Sequence, residues 1–316
     1  MGLNDIFRDL AIAFPNIVQQ NVPLNEISRW RIGGTADIVV SPRNIQELAH
    51  LRKWVFERNL PNIVFGATSN LLFDDQGLQA IAIQIGSNFA TLDMQDQYIT
   101  AGPGVWVPGL ARTAMLAGLT GIEHTCGIPG TLGGLVCMNG GSQRKGIGTH
   151  VQFIRSVDEQ GNIKEYTPAE CQFSYRHSIF QNNNEVIAEI ILKLEPSTTS
   201  VAEQRVEMLK ILRDRRHKFP LKLPNCGSVF VSNPAMYENY GPPGKVIEQV
   251  GLKGTRIGDA EICELHANFI VNHGNAKSAD VLALIHLVRD QVHQETGYLM
   301  AVEAKFVDGS GAIKEI

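Results

Sequence analysis

The segment Gly127–Gly141, GIPGTLGGLVCMNGG, constrains this chain more than any other, because glycine occupies positions 127, 130, 133, 134, 140 and 141. Glycine sacrifices packing and conformational entropy inside regular elements, so neither an ordinary strand nor a helix interior is expected there. Such spacing permits close approach instead. Backbone N–H groups can reach a ligand with no Cβ in the way, and successive N–H groups form a concavity suited to a phosphate or pyrophosphate. A plain tight loop is the alternative, and the rest of the chain has to decide.

With 316 residues the chain can build two or three domains. Its 44% hydrophobic and 19% charged residues describe a globular protein, neither disordered nor fibrous. A net charge of −4, without a long basic run beyond Arg213–Lys222, argues against nucleic acid as a partner. Asp5, Arg8 and Asp9 interrupt the first residues as they would not in a signal peptide, and no stretch reaches the roughly 18 apolar residues needed to span a bilayer. No membrane association is expected. The five cysteines, scattered and without a CxxC pair, indicate neither a disulfide framework nor a zinc site and suggest a reducing, cytoplasmic setting.

Hydrophobic periodicity and turn residues predict the elements. A strand ends the segment Trp30–Val40 after a Gly-Gly turn, and a helix capped by Asn44 and Glu47 carries Leu48, Leu51 and Val55. The strand Asn62–Phe65 runs into a small polar loop, Gly66–Leu72, at a strand end where ligands commonly sit. Short strands follow at Ala80–Gln84 and Tyr98–Ala101, then a helix over 109–117 with Pro108 at its start and Gly118 past its end. Strands are expected at Val151–Val157 and Val186–Leu194, with the polar-aromatic segment Phe173–Phe180 between them. Ser200 and Glu203 open a helix ending in the basic cluster Arg213, Arg215, Arg216, His217 and Lys218, more cation than a helix dipole requires. Phe219–Pro224 breaks regular structure, and a Pro/Gly-rich turn falls at Tyr240–Gly244. The last third adds a strand at His266–Asn272, an amphipathic helix with Val281, Leu284, Ile285, Val288 and Val292 on one face, and an alternating strand Met300–Val307 that sets Glu303 and Lys305 on one side. No Ser-His-Asp arrangement, metal-ligand spacing or Walker loop appears. What remains is two small-residue loops, Gly66–Asn70 and Gly127–Gly134, which together suit a diphosphate such as a dinucleotide.

Taken in order, RIGGTAD from Arg31, GATSNLL from Gly66, GIPGTLGG from Gly127, YRHSIF from Tyr175, GSVF from Gly227, GLKG from Gly251, HANFIVN from His266 and VEAKF around Glu303 resemble the UDP-N-acetylenolpyruvoylglucosamine reductase family (UDP-N-acetylmuramate dehydrogenases), in its shorter variety. The resemblance runs nearly end to end. It implies an α+β fold of three domains: a two-domain FAD-binding unit of the vanillyl-alcohol oxidase type, residues 1–82 and 83–217, and a C-terminal α+β substrate domain, 218–306, with the tail 307–316 a candidate to return to the first domain. It implies that NADPH reduces FAD and leaves, that a UDP-sugar enolpyruvyl ether takes its place, and that hydride reaches the methylene carbon before the neighbouring carbon is protonated, a step of peptidoglycan precursor synthesis.

Position by position, the resemblance assigns cofactor contacts to Arg31, Gly66, Thr68, Ser69, Asn70, Gly127, Pro129, Gly130, Thr131, Gly133, Gly134 and Asn139, and substrate contacts to Tyr175, Lys218, Asn233 and Asn268. It makes Arg176, Ser228 and Glu303 catalytic. Elementary chemistry agrees. Arg176 offers a fixed charge and a planar fork for a carboxylate, Glu303 could hold or polarise that carboxylate if protonated, and Ser228 offers a hydroxyl proton in a glycine-flanked turn. Departures stand out as well. Thr68 replaces the second glycine of the usual G-x-G-S-N, so the backbone there must avoid positive φ or be strained. Val231-Ser-Asn-Pro234 replaces a shorter K-N-P, Gly140-Gly141 replaces Ala-Gly, and Lys218 aligns with the family's phosphate-binding lysine only across a gap. Alternatives are another FAD oxidoreductase on the same fold, or an inactive flavin- or sugar-nucleotide-binding homologue.

Overall fold

The computed structural model describes residues 2–316, which separate into two compact units. The first holds the N-terminal residues through Gln19, Val39–Ala67 and Ala82–Arg215; the second holds Gln20–Ile38, Thr68–Ile81 and Arg216–Ile316. Helix and strand mix throughout, as an α+β fold requires. One four-stranded sheet runs in the order Val18–Pro23, Thr35–Val40, Leu78–Gln84, Asn62–Phe65.

In the first unit the helix Ile45–Glu57 begins as predicted, with Asn44 Oδ1 accepting from the Glu47 N–H at 2.9 Å, but the Glu47 carboxylate turns back to Arg43 rather than to Asn44. A five-stranded antiparallel sheet runs Ile163–Tyr166, Val151–Val157, Val186–Lys193, Tyr98–Ala101, Leu92–Gln95. Its two outer strands are absent from the sequence reading. Both are exposed along most of their length, so no buried residue alternates to give them away. Ile99, Leu132, Ile154, Ile190 and Leu192 are fully buried in the core. The helix Val107–Leu116 starts two residues earlier than expected, with Pro108 in its first turn and Gly118 at φ +71° after it. The helix Val201–Lys218 has the expected Ser200–Glu203 capping pair and carries the basic cluster within its last two turns.

In the second unit a fully buried Trp30 donates from its indole to Ile270 O at 2.8 Å, and Asn272 Nδ2 donates to Trp30 O at 2.9 Å. The helix Ser278–Thr296 buries its predicted stripe and stops at Gly297, φ +72°. Asp75 holds the start of that helix, accepting from Ser278 N and Oγ at 2.9 and 2.8 Å.

Three predicted elements change here. Leu71–Phe73, read as loop, is a strand paired in parallel with Lys305–Val307. The expected strand Met300–Val307 shrinks to Lys305–Val307, because the Glu303 and Ala304 N–H groups both turn to Val229 O. His266–Asn272 keeps only Ile270–Asn272, since Phe269 N closes a turn onto His266 O at 3.0 Å. The turn expected at Tyr240–Gly244 is shorter, centred on Gly241 at φ +98°, because its last two residues already belong to the helix Pro243–Gln249, and the helix Pro234–Asn239 precedes it.

Candidate active site

The glycine-rich segment lies against Pro103–Val107. Leu132 N donates to Val105 O and Gly133 N to Pro103 O, each at 2.8 Å, while Val107 N donates to Gly130 O at 3.0 Å. Contrary to the sequence reading, part of the segment is a helix, Leu132–Cys137, entered through Thr131, and it includes Gly133 and Gly134. The glycines of this segment, and Gly66 packed against it, serve different needs. A Cβ at Gly133 would sit 2.8 Å from Pro103 Cβ, a Cβ at Gly66 would collide with Thr131 Oγ1, and one at Gly127 would strike the Arg215 side chain. Those three are fixed by the protein's own packing. Gly134 is different, because a Cβ there would meet only Thr131 Oγ1, at an ordinary 3.4 Å. No packing demand explains glycine at this exposed position, where the protein leaves open space against the backbone.

The helix Leu132–Cys137 ends in a Schellman motif. Gly140 N donates to Leu135 O at 2.7 Å and Asn139 N to Val136 O at 3.0 Å, with Asn139 at φ +40°. The Asn139 side chain is engaged on both sides: Nδ2 donates to Ser174 O at 2.7 Å and Oδ1 accepts from Gly148 N at 2.9 Å. It thereby ties the glycine segment to the turn bearing Arg176. In that turn Ser174 and His177 exchange two backbone hydrogen bonds of 3.1 Å, leaving Tyr175 and Arg176 at the tip, with Arg176 at φ +56°. Tyr175 is 62% exposed, and the Arg176 guanidinium lies 5.8 Å from its ring centre.

In the second unit the loop Thr68–Asn70 follows the same rule of backbone held by side chains. Thr68 has φ +53° and is buried, its hydroxyl accepting from Arg29 N at 3.0 Å and donating to Ile27 O at 3.3 Å. Of the two possibilities open in the sequence, the strained one holds. Lys305 N donates to Asn70 O at 2.9 Å, and Arg31 is exposed with φ +56°.

A backbone hydrogen bond sets the segments that carry Ser228 and Glu303 side by side. Ser228 stands exposed between Gly227, φ +88°, and the buried Val229, whose carbonyl accepts from Glu303 N at 2.7 Å. Asn268 secures this segment: its Oδ1 accepts from Phe230 N at 2.9 Å and its Nδ2 donates to Phe230 O at 3.0 Å. The Asn268 amide is thus engaged with the Ser228 segment itself. Burial, with Glu303 adding to it, pushes the neighbouring Cys226 thiol well up. Asn233 accepts from Met236 N and Tyr237 N through its carbonyl, opening the helix Pro234–Asn239, and Lys218 is exposed at the end of its helix. Arg215, counted in the sequence only as one of a cationic cluster, lays its side chain across Gly127, and burial lowers its pKa. Nothing in local sequence distinguishes it from Arg213 or Arg216.

Residues 219–307 match the family model described as the UDP-N-acetylenolpyruvoylglucosamine reductase C-terminal domain, and residues 36–167 match an FAD binding domain. UDP-N-acetylenolpyruvoylglucosamine reductase 1 of Corynebacterium glutamicum is 47% identical over 92% of this chain and 86% of its own. The chain belongs to the UDP-N-acetylenolpyruvoylglucosamine reductase family. A Heliobacterium modesticaldum member is 38% identical over 92% of this chain and 91% of its own. The solved Thermus caldophilus reductase superposes with a TM-score of 0.77 at 29% identity, covering 92% of this chain and 98% of that one. Gly134, uncovered by protein, fits an FAD pyrophosphate approaching backbone N–H groups, as does a segment whose remaining glycines let the chain pack closely behind it.

Proposed function

We infer that this protein is an FAD-dependent enzyme that reduces the enolpyruvyl ether of UDP-N-acetylglucosamine to UDP-N-acetylmuramate with NADPH, a step of peptidoglycan precursor synthesis. The observation carrying the residue-level reading is that Val229 O accepts from Glu303 N, which sets Glu303 beside the residue that follows Ser228. Bound FAD supplies hydride, received from NADPH, to the methylene carbon of the enolpyruvyl group.

The chain's own residues do the rest. Arg176 holds the substrate carboxylate through its planar fork, where negative charge grows as the neighbouring carbon becomes carbanionic. Glu303, in its protonated form, orients that carboxylate by donating a hydrogen bond to it. Ser228 gives its hydroxyl proton to the carbon and regains one from solvent. Tyr175, Lys218, Asn233 and Asn268 belong to the substrate side of this proposal, the last by securing the Ser228 segment. The flavin side comprises Arg31, Gly66, Thr68, Ser69 and Asn70, with Gly127, Pro129, Gly130, Thr131, Gly133, Gly134 and Asn139. Flavin-binding domains at 1–82 and 83–217 and a substrate domain at 218–306 belong to it too. All five cysteines are free and no helix among the described residues is long and apolar enough to cross a membrane; we place the enzyme in the cytoplasm.

The purified protein is expected to be yellow, to bleach with NADPH under anaerobic conditions, and to regain its colour on addition of the enolpyruvyl UDP-sugar with release of UDP-N-acetylmuramate. A colourless protein that takes up no FAD, or a reduced flavin indifferent to that substrate, would overturn the proposal.

A further inference from the structure

Arg176 occupies a left-handed backbone conformation at the tip of a two-residue turn, which arginine adopts only when its surroundings impose it. Three side chains do so. Asn139 Nδ2 donates to Ser174 O at 2.7 Å, Ser178 Oγ donates to Cys137 O at 2.6 Å, and Gln181 Nε2 donates both to Cys137 O, at 3.1 Å, and to Arg176 O, at 2.9 Å. Cys137 is the last residue of the glycine helix, so its carbonyl has no intrahelical partner and takes both side chains instead. Gln181 is itself well placed for this. It ends a short helical turn, Ile179–Gln181, whose Phe180 is buried edge-on against Tyr166 with ring centres 5.3 Å apart.

We propose that Gln181 is a positioning residue for Arg176. Its amide carries two N–H donors, one for each carbonyl, and these set the Arg176 backbone against the end of the glycine helix. The direction in which the guanidinium leaves the turn is fixed by that backbone, and bidentate recognition of a carboxylate depends on that direction. Of the three side chains that join the glycine segment to this turn, Gln181 is the one that reaches the Arg176 backbone itself. The inference rests on the reading of Arg176 as the carboxylate-binding residue.

Gln181→Ala removes both donors, and Gln181→Met removes them while keeping the length of the side chain. Being exposed, position 181 tolerates both in a folded, FAD-loaded enzyme. Anaerobic stopped-flow separates flavin reduction by NADPH from reoxidation by the enolpyruvyl UDP-sugar. Both variants are expected to be reduced at the parent rate within about twofold, and to need roughly five- to tenfold more substrate for half-maximal reoxidation, the scale of two exposed hydrogen bonds. Combined with Arg176→Lys, which is itself impaired, either change is expected to add less than twofold, because it acts through the group already altered. The proposal is overturned if reoxidation is parent-like, if both half-reactions slow equally, or if the loss multiplies undiminished onto Arg176→Lys. Parent-like turnover by Arg176→Lys alone would instead remove the reading on which the inference stands, and the inference with it.

Discussion

At Thr68 a β-branched side chain sits at φ +53°, where a glycine would be at ease. Strain of this kind costs on the order of 1–3 kcal/mol and persists only where surroundings over-determine the conformation. The hydroxyl supplies that constraint, joining the Arg29 N–H to the Ile27 carbonyl in a buried position. Thr68→Val keeps the shape and the branching but leaves both backbone groups unsatisfied, so it is expected to lose about 1–3 kcal/mol in urea unfolding. Thr68→Ser keeps both bonds without the branch and should match the parent or exceed it slightly. Equal stability of the Val variant would show that the hydroxyl does not hold the loop. The substitution of Thr for Gly was legible in the sequence. The way the fold accommodates it was not, because Ile27 and Arg29 lie some forty residues away.

The helix Leu132–Cys137 gives a cleaner separation of folding from binding. Gly134→Ala fills space that the protein itself leaves open, and removing a glycine from a helix stabilises it by up to about 1 kcal/mol. The variant is therefore expected to fold at least as stably without cofactor, yet to bind FAD at least about tenfold more weakly, ~1.4 kcal/mol, by flavin fluorescence titration. Parent-like affinity would place the cofactor elsewhere. Glycine density announced this segment in the sequence, but density alone could not tell Gly134 from Gly127 or Gly133, whose reasons are Arg215 and Pro103. Elements with a buried stripe, such as Ser278–Thr296, were readable in their buried face and their stop at Gly297. Exposed edge strands such as Leu92–Gln95 were not, and the strand expected at Met300–Val307 failed because Glu303 and Ala304 hydrogen-bond out of line to Val229.

For the molecule as a whole, stability should depend on acidity through His124. It is 3% exposed, its Nε2 has no hydrogen-bond partner, and burial, helped by Lys145 and His150, lowers its pKa from 6.5 to about 4. Between those values the unfolded chain binds a proton that the folded protein refuses. The stability this histidine allows is thus full above pH 6.5 and is lost as pH falls toward about 4. His124→Phe removes both the titration and the unsatisfied nitrogen; urea midpoints at pH 7.5 and 5 are expected to differ less in the variant than in the parent, and an undiminished difference would contradict this. Function at this scale divides into two half-reactions, and the proposed mechanism puts Ser228 in the second of them. A lone general acid is worth roughly 10²–10⁴ in rate. Ser228→Ala should fold, bind FAD and be reduced by NADPH at a parent-like rate. The decisive measurement is anaerobic stopped-flow of its reduced flavin mixed with the enolpyruvyl UDP-sugar: reoxidation slowed at least about a hundredfold is the predicted result, and reoxidation at the parent rate would contradict it.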